Sequence, residues 1–319
     1  MRIALFGSGW IQNFHARGVH AHPEAEVAAV ANWREESAKR FAGQHDVPRF
    51  TTDWEAVARD PEIDAVVIAT PNALHAPQAI ACLRAGKHVL VEKPMATSVA
   101  ECDEMVAAAH ASGAFLMVAH CWRFRDEVRA VRERIAAGEL GEIVKTRGYG
   151  VHAHWGPSGW FTDSALAGGG ALVDMGVHAI DTARFLLGDP LPRRVCATIG
   201  TRYADGRYEV DDDGVLLVAW SNGTNSIIES GWWQPHLGGL EAETEVYGTR
   251  GYTTIFPWAQ PPSEEYEHCS QPMYTAQVAG FVEGILEGRE PRPNGEDGRV
   301  VMQVVEEAYR FAGGVPFRP

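Results

Sequence analysis

Between residues 168 and 181 the chain reads GGGALVDMGVHAID, an apolar run that can be helical and that carries Asp174, His178 and Asp181 after three glycines. Imidazole titrates near neutral pH, so a histidine beside a carboxylate is suited to take or give a proton. At helical spacing the three polar positions share one face, because i, i+4 and i+7 stack. His178 is the candidate acid/base, and Asp174 the group that orients or tunes its ring. The glycines Gly168 to Gly170 are expected to let the chain approach a cofactor before the helix starts. A second candidate is Lys93 in VLVEKPMA (89–96), where Pro94 bars Lys93 from helical geometry and the Lys93–Pro94 bond is a candidate for the cis form. An ammonium fixed there can hold a substrate oxygen and stabilise developing negative charge. With its pKa lowered by desolvation it can instead carry the proton, and both roles stay open. A lone buried histidine is more often structural, but the company of Asp174 and Lys93 favours chemistry.

These groups need elements to hold them. Up to about residue 120, short apolar runs alternate with helical stretches. The runs RIALFG (2–7), EVAAVA (26–31), DAVVIAT (64–70), HVLVE (88–92) and FLMVA (115–119) are continuous, as strands buried on both faces should be. The intervening helices, 74–86 and 96–113, each end at a glycine. This rhythm predicts an N-terminal Rossmann domain, an α/β doubly wound parallel sheet, over 1–121. Beyond about residue 140 the strand candidates EIVKTRGYGVHAH, RVCATIGTRY, GVLLVAWS, NSIIESGWW and ETEVYG follow, one pair joined by Asn222-Gly223, a hairpin signal. Helical stretches over 273–288 and 298–312 close the chain. A C-terminal α+β domain over 122–319 is expected, built on one large, mostly antiparallel sheet.

The first strand–helix junction reads FGSGWIQ, with Gly7 and Gly9 in the turn and Trp10 and Ile11 opening the helix. Such a turn lets the backbone approach a pyrophosphate, whose charge then sits at a helix N-terminus. Gln12 replaces the third glycine of that fingerprint. A bare Gly-x-Gly is often only a tight turn; its place at the first βα junction of a parallel domain favours dinucleotide binding. Thr70, Pro71 and Asn72 form a polar turn at another strand's C-terminal end, the ligand edge of such sheets. His75 follows in the first turn of the next helix, and Glu92 precedes Lys93 at the same edge. Where a ribose-binding acid is expected, the chain has Asn32-Trp33-Arg34. The missing acid removes repulsion of a 2′-phosphate and Arg34 can fork onto one, so these residues lean slightly toward NADP. Glu35 and Glu36 weigh against that lean.

Composition narrows the classes. The 319 residues carry 28 basic and 42 acidic side chains, a formal charge of −14, which argues against a nucleic-acid binder. Cys82, Cys102, Cys121, Cys196 and Cys269 are scattered singly, without a CxxC pair, which suits a reducing cytoplasm. The N-terminus reads as a strand rather than a signal peptide, and no stretch approaches a membrane span. No metal site is expected: His152 and His154 alternate on a presumed strand, but no third ligand is evident.

Together GSGWI (7–11), TPNALHA (70–76), AGKHVLVEKP (85–94), WRF (122–124), GGGALVDMGVHAID (168–181) and GEDGRVVMQVVEEA (295–308) resemble the glucose–fructose oxidoreductase and inositol dehydrogenase family, Gfo/Idh/MocA. The matches span nearly the whole chain in the family's order. The resemblance implies a nicotinamide-dependent oxidoreductase acting on a sugar, polyol or similar alcohol or ketone, with NAD(P) as cofactor. Lys93 matches the family's Glu-Lys-Pro lysine; Asp174 and His178 match its acid and histidine. Arg123 matches an Arg-Phe pair and is structural or near the substrate. His152, Trp160 and Asp163 are candidates for the substrate pocket, and Trp232, Trp233 and Trp258 are aromatics able to stack on sugar faces. The resemblance further implies pairing through the second sheet into a homodimer or homotetramer. Two rivals share the architecture: a glycosidase that uses nicotinamide transiently, and a cofactor-bound sensor without catalysis. The sensor reading expects the lysine or histidine to be lost, and both are present.

Overall fold

The computed structural model describes residues 1–153, 155–234, 242–255 and 270–313. In chain order its first half runs β1 (Arg2–Phe6), α1 (Trp10–His20), β2 (Glu26–Ala31), α2 (Glu35–Gln44), β3 (Phe50–Thr51), α3 (Trp54–Arg59), β4 (Ala65–Ile68), α4 (His75–Arg84), β5 (His88–Glu92), α5 (Val99–Ser112) and β6 (Leu116–Ala119). There follow α6 (Asp126–Ala136), β7 (Ile143–Val151), α7 (Ser164–Ala167), a π turn (Leu172–Gly176) and α8 (Val177–Leu186). The rest is β8 (Pro192–Gly200), β9 (Asp213–Trp220), β10 (Asn225–Gly231), β11 (Thr244–Gly248), β12 (Tyr252–Ile255), α9 (Gln271–Leu286) and α10 (Gly295–Phe311).

The chain divides into two compact units, Met1–Cys121 with Cys269–Arg299, and Trp122–His268 with Val300–Pro319. In the first, six parallel strands lie in the order β3-β2-β1-β4-β5-β6, the doubly wound arrangement that places ligands at the strands' C-terminal ends. The central strands β1, β4 and β5 are buried almost throughout, which explains their unbroken apolar runs. The two-residue β3 is too short to carry a sequence pattern. Helix α5 starts at Ser98, whose hydroxyl accepts from the Glu101 amide at 3.2 Å, and stops at Gly113, φ +72°. The sequence reading puts all of 122–319 in one domain; α9 instead packs on α1. The Gln271 amide donates to the Phe14 carbonyl at 3.0 Å, and the Phe14 and Tyr274 rings lie 5.1 Å apart.

The second sheet has the order β12-β11-β7-β10-β9-β8 and is mostly antiparallel. One neighbouring pair, β7 with β10, is parallel. The Asn222-Gly223 turn joins β9 to β10 as expected: Gly223 has φ +89° and the Asn222 side-chain oxygen accepts from the Thr224 amide at 3.1 Å. Strand β9 alternates, burying Leu216, Val218 and Trp220 while Val215 and Leu217 remain 42% and 48% exposed. Helix α8 packs on the same sheet, against β7, β10 and β11. No helix among the described residues is long and apolar enough to cross a membrane.

Candidate functional site

At the first βα junction Gly7 has φ +95°, a backbone region that side-chain-bearing residues rarely adopt. A Cβ there would also lie 2.3 Å from the Ala69 carbonyl oxygen, so only glycine lets β1 run this close to the end of β4. Gly9 precedes α1 with no side-chain cap, and the helix has no acid in its first turn. Its outward side is open, with nothing within 4 Å of a Cβ built on it. Uncapped amides, a positive helix end and empty room suit the pyrophosphate of a dinucleotide. Gln12, in place of the third glycine, is fully buried; its amide donates to the carbonyls of Val67 and Phe6 at 3.2 and 3.4 Å, stapling β1 and β4 beneath the turn. Trp10 is 58% exposed, and Ile11 follows it in the first turn of α1.

At the end of β2 the Asn32 amide donates to the Ser8 hydroxyl at 2.7 Å, tying the strand end to the glycine turn. The exposed Trp33 ring carries the Arg34 guanidinium 4.1 Å above it. Beyond β4 the Thr70 hydroxyl donates to Gln78 at 2.8 Å. Pro71 leads into a 3₁₀ turn that buries Asn72. His75 is buried with its ring nitrogens 2.8 Å from the Pro94 carbonyl and 2.9 Å from that of Thr70, so its imidazole joins the β4 and β5 ends. Burial pushes its pKa below the ordinary histidine range, against the opposing pull of the two carbonyls. The sequence reading placed His75 and Glu92 among cofactor contacts; in the structure both are turned to internal partners. The Glu92 carboxylate meets the buried His15 ring at 2.8 Å and accepts from the Lys93 amide at 3.2 Å. Lys93 is half-buried at this edge, and the Lys93–Pro94 bond is cis.

In the second unit the segment read as a plain α-helix begins instead as a π turn, a feature frequent at functional sites. Asp174 lies in this turn, nearly buried. Its carboxylate accepts from the Trp232 indole at 3.0 Å and lies 4.0 Å from the His152 ring. His178, on the first turn of α8, stacks on buried Trp122 with centroids 4.5 Å apart and planes at 16°. This stack orients the imidazole plane, while Asp174 is held by an indole donor. The sequence reading has Trp122 only within the WRF motif and Trp232 only as an aromatic able to stack on a sugar; their contacts with His178 and Asp174 come from the side-chain geometry alone.

Asp181, expected to share the polar stripe, has a different partner. Arg123 donates to both of its carboxylate oxygens at 2.7 Å and reaches Asp189 at 3.1 Å, all within the protein interior. Removing one partner of such a pair costs about 3–5 kcal/mol, so Arg123 and Asp181 hold the fold. Asp163 is exposed and caps α7, accepting from the Ala165 amide at 2.9 Å. Trp160 stacks on Phe161 at 3.9 Å, and His152 meets Trp155 edge-on at 4.4 Å. His154 and Trp258 lie outside the described residues. Among the described residues no three His, Cys, Asp or Glu side chains gather as metal ligands would.

The glycine run also has a purpose other than the expected one. A Cβ on Gly170 would lie 1.9 Å from the Asp211 carbonyl oxygen, and one on Gly169 would lie 2.4 Å from the Tyr309 hydroxyl. The run makes room for neighbours within its own unit.

Known proteins share this fold. Residues 1–120 match the model of an oxidoreductase family with an NAD-binding Rossmann fold, and 128–254 match the GFO/IDH/MocA C-terminal domain. The chain is 30% identical to a 1,5-anhydro-D-fructose reductase of Ensifer adhaerens over 312 residues, 93% of this chain and 92% of the relative. The chain belongs to the Gfo/Idh/MocA oxidoreductase family. Among solved members, GenD2 from gentamicin A biosynthesis, in complex with NAD, superposes with a TM-score of 0.87 at 30% identity, covering 98% of this chain and 94% of that one. A levoglucosan dehydrogenase complex with NADH gives 0.87 at 26% identity over 98% and 97%.

Proposed function

We propose that this protein moves hydride between NAD(P) and a sugar, polyol or related alcohol or ketone. The observation that carries the reading is the buried cluster on the π turn and α8, where His178 lies flat on Trp122 and Asp174 accepts from Trp232. Bound nicotinamide supplies the hydride acceptor or donor. Gly7 and Gly9, with the amides of Trp10 and Ile11, receive the pyrophosphate, and Thr70, Pro71 and Asn72 line the same strand edge. In the oxidising direction the substrate hydroxyl would give its proton to the His178 ring while the hydrogen on the adjoining carbon leaves with both electrons of its bond. Asp174 orients that ring, Trp122 keeps its plane, and Lys93 holds the substrate oxygen. His152 and Trp160 are the proposed substrate contacts. The test is a panel of sugars and polyols read by nicotinamide absorbance: reduction of NAD(P) by a free sugar or polyol is expected. Glycoside cleavage without net reduction would favour the glycosidase, and tight cofactor binding with no turnover of any kind would favour the sensor.

The cofactor preference follows from the end of β2. Asn32 and Arg34 lean toward NADP by residue type, yet the two solved relatives above carry NAD and NADH and lend that lean no support. The Asn32 amide is engaged by Ser8, the Arg34 guanidinium rests on Trp33, and Glu35 and Glu36 stand in the first turn of α2. NAD is therefore expected to bind at least as tightly as NADP, with Arg34→Ala changing NADP affinity less than about threefold, the size of a weak exposed charge contact. Dissociation constants of both cofactors for wild type and variant check this; NADP tighter by tenfold, and lost in Arg34→Ala, would restore the lean.

The exposed Val215 and Leu217 on β9 support pairing through the second sheet into a homodimer or homotetramer. Solution mass at micromolar concentration is expected to exceed the monomer's 34.8 kDa at least twofold. A monomer at that concentration refutes the pairing. Five cysteines scattered singly along the chain, without a CxxC pair, support a cytoplasmic setting.

A further inference from the structure

The helix bearing Asp174 and His178 has no cap of its own: Ala171, at its start, offers no side-chain acceptor. Three successive amides at this end nevertheless find partners, and all three are on one distant residue. Gly170 and Leu172 donate to the two carboxylate oxygens of Asp211 at 2.8 and 2.9 Å, and Ala171 donates to its main-chain carbonyl at 2.8 Å. Asp211 is wholly buried, and the Tyr309 hydroxyl on α10 donates to the carboxylate oxygen that Gly170 also uses, at 2.6 Å. A carboxylate at this end also meets the positive pole of the helix. The path to the chemistry is short, because the Gly170 carbonyl in turn accepts from the Asp174 amide at 3.0 Å. Gly170 must be glycine for this, since Asp211 occupies the place of its Cβ.

We propose that Asp211, braced by Tyr309, is a positioning residue for hydride transfer: it sets where the π turn begins and so where Asp174 and His178 point. The inference rests on the function proposed above. Tertiary anchoring suits this segment, because a π turn is rare and lacks the regular helix's hydrogen-bond register. Displacement of a reacting group by about 1 Å can cost about a hundredfold in rate. Asp211→Asn turns an amide hydrogen toward a backbone donor and breaks the three-way acceptance. Tyr309→Phe keeps both backbone contacts and loses one donor.

The experiment pairs kinetics with NMR of the His178 ring, its resonances assigned with His178→Gln. In Asp211→Asn, kcat is expected to fall at least tenfold with substrate KM and dinucleotide Kd within about twofold, and the His178 ring signals to shift. Tyr309→Phe should show the same pattern, smaller, and carries the test alone if Asp211→Asn does not fold. Asp53→Ala, which removes the cap of α3, should leave kcat and the ring signals unchanged. Unmoved His178 signals with wild-type kcat in either folded site variant overturn the proposal. So do KM and kcat changes of equal size in Asp53→Ala, which would mark a general loss of stability. Shifted ring signals with wild-type turnover uphold the positioning and refute the catalytic assignment of His178 instead.

Discussion

Replacing His178 by alanine is expected to lower kcat by about 10²–10⁴, the usual range for removing a general acid or base. The substrate proton then has no imidazole to accept it, and Trp122 loses the ring it stacks on. Dinucleotide affinity should stay within about twofold, because the glycine turn proposed to receive the pyrophosphate is built from β1 and α1. Lys93→Ala should cut turnover to a similar degree, through loss of the charge that stabilises a developing alkoxide. The two variants also separate the open assignments of the proton. If His178 carries it, the pH profile of His178→Ala loses a limb that the profile of Lys93→Ala keeps. Steady-state kinetics across pH, with fluorescence titration of the dinucleotide, measure both quantities. Turnover within threefold of wild type in either variant would refute the role given to that residue.

The second large effect is expected at Gly7, with Gly9 as its contrast. In Gly7→Ala the new methyl would stand 2.3 Å from the Ala69 carbonyl oxygen, on a backbone with φ +95°. The nearest atoms, on Ala69 and Thr70, are main chain, so no side chain can swing away. Backbone strain of about 1–2 kcal/mol and overpacking of about 1–3 kcal/mol together predict a destabilisation of about 3 kcal/mol. Dinucleotide binding should weaken with it, as β1 and β4 are pushed apart at the turn. Gly9 has φ −77° and open space around its missing Cβ, so Gly9→Ala should shift Tm by no more than about 2 °C. Its methyl instead occupies the room proposed for the pyrophosphate, and the dinucleotide Kd should rise at least tenfold. Thermal unfolding and dinucleotide titration of both variants provide the measurement. A Gly9→Ala protein that binds NAD as wild type does would place the pyrophosphate elsewhere.

Much of this protein was readable from its residues alone. The unbroken apolar runs of β1, β4 and β5 signal a parallel sheet, because a strand covered on both faces has no polar side to alternate with. Gly7, the Asn222-Gly223 hairpin and the helix stops at Gly86 and Gly113 are local backbone requirements, and local requirements are written in local sequence. Lys93, Asp174 and His178 are candidates from local motifs in the same way. Tertiary structure alone decided what those groups lean on. Asp181 and His178 look equivalent on a helical wheel, yet one is held by Arg123 and the other lies on Trp122, partners that adjoin each other in the chain and stand far from the helix. The π turn offsets the wheel itself, and its anchor, Asp211, sits in a stretch with no motif. The parallel pairing of β7 with β10 and the packing of α9 on α1 likewise join segments distant along the chain. Periodicity tells each residue whether to face inward, but a buried carboxylate's partner is chosen by which donor the completed fold brings within about 3 Å, and that distance has no signature in one dimension.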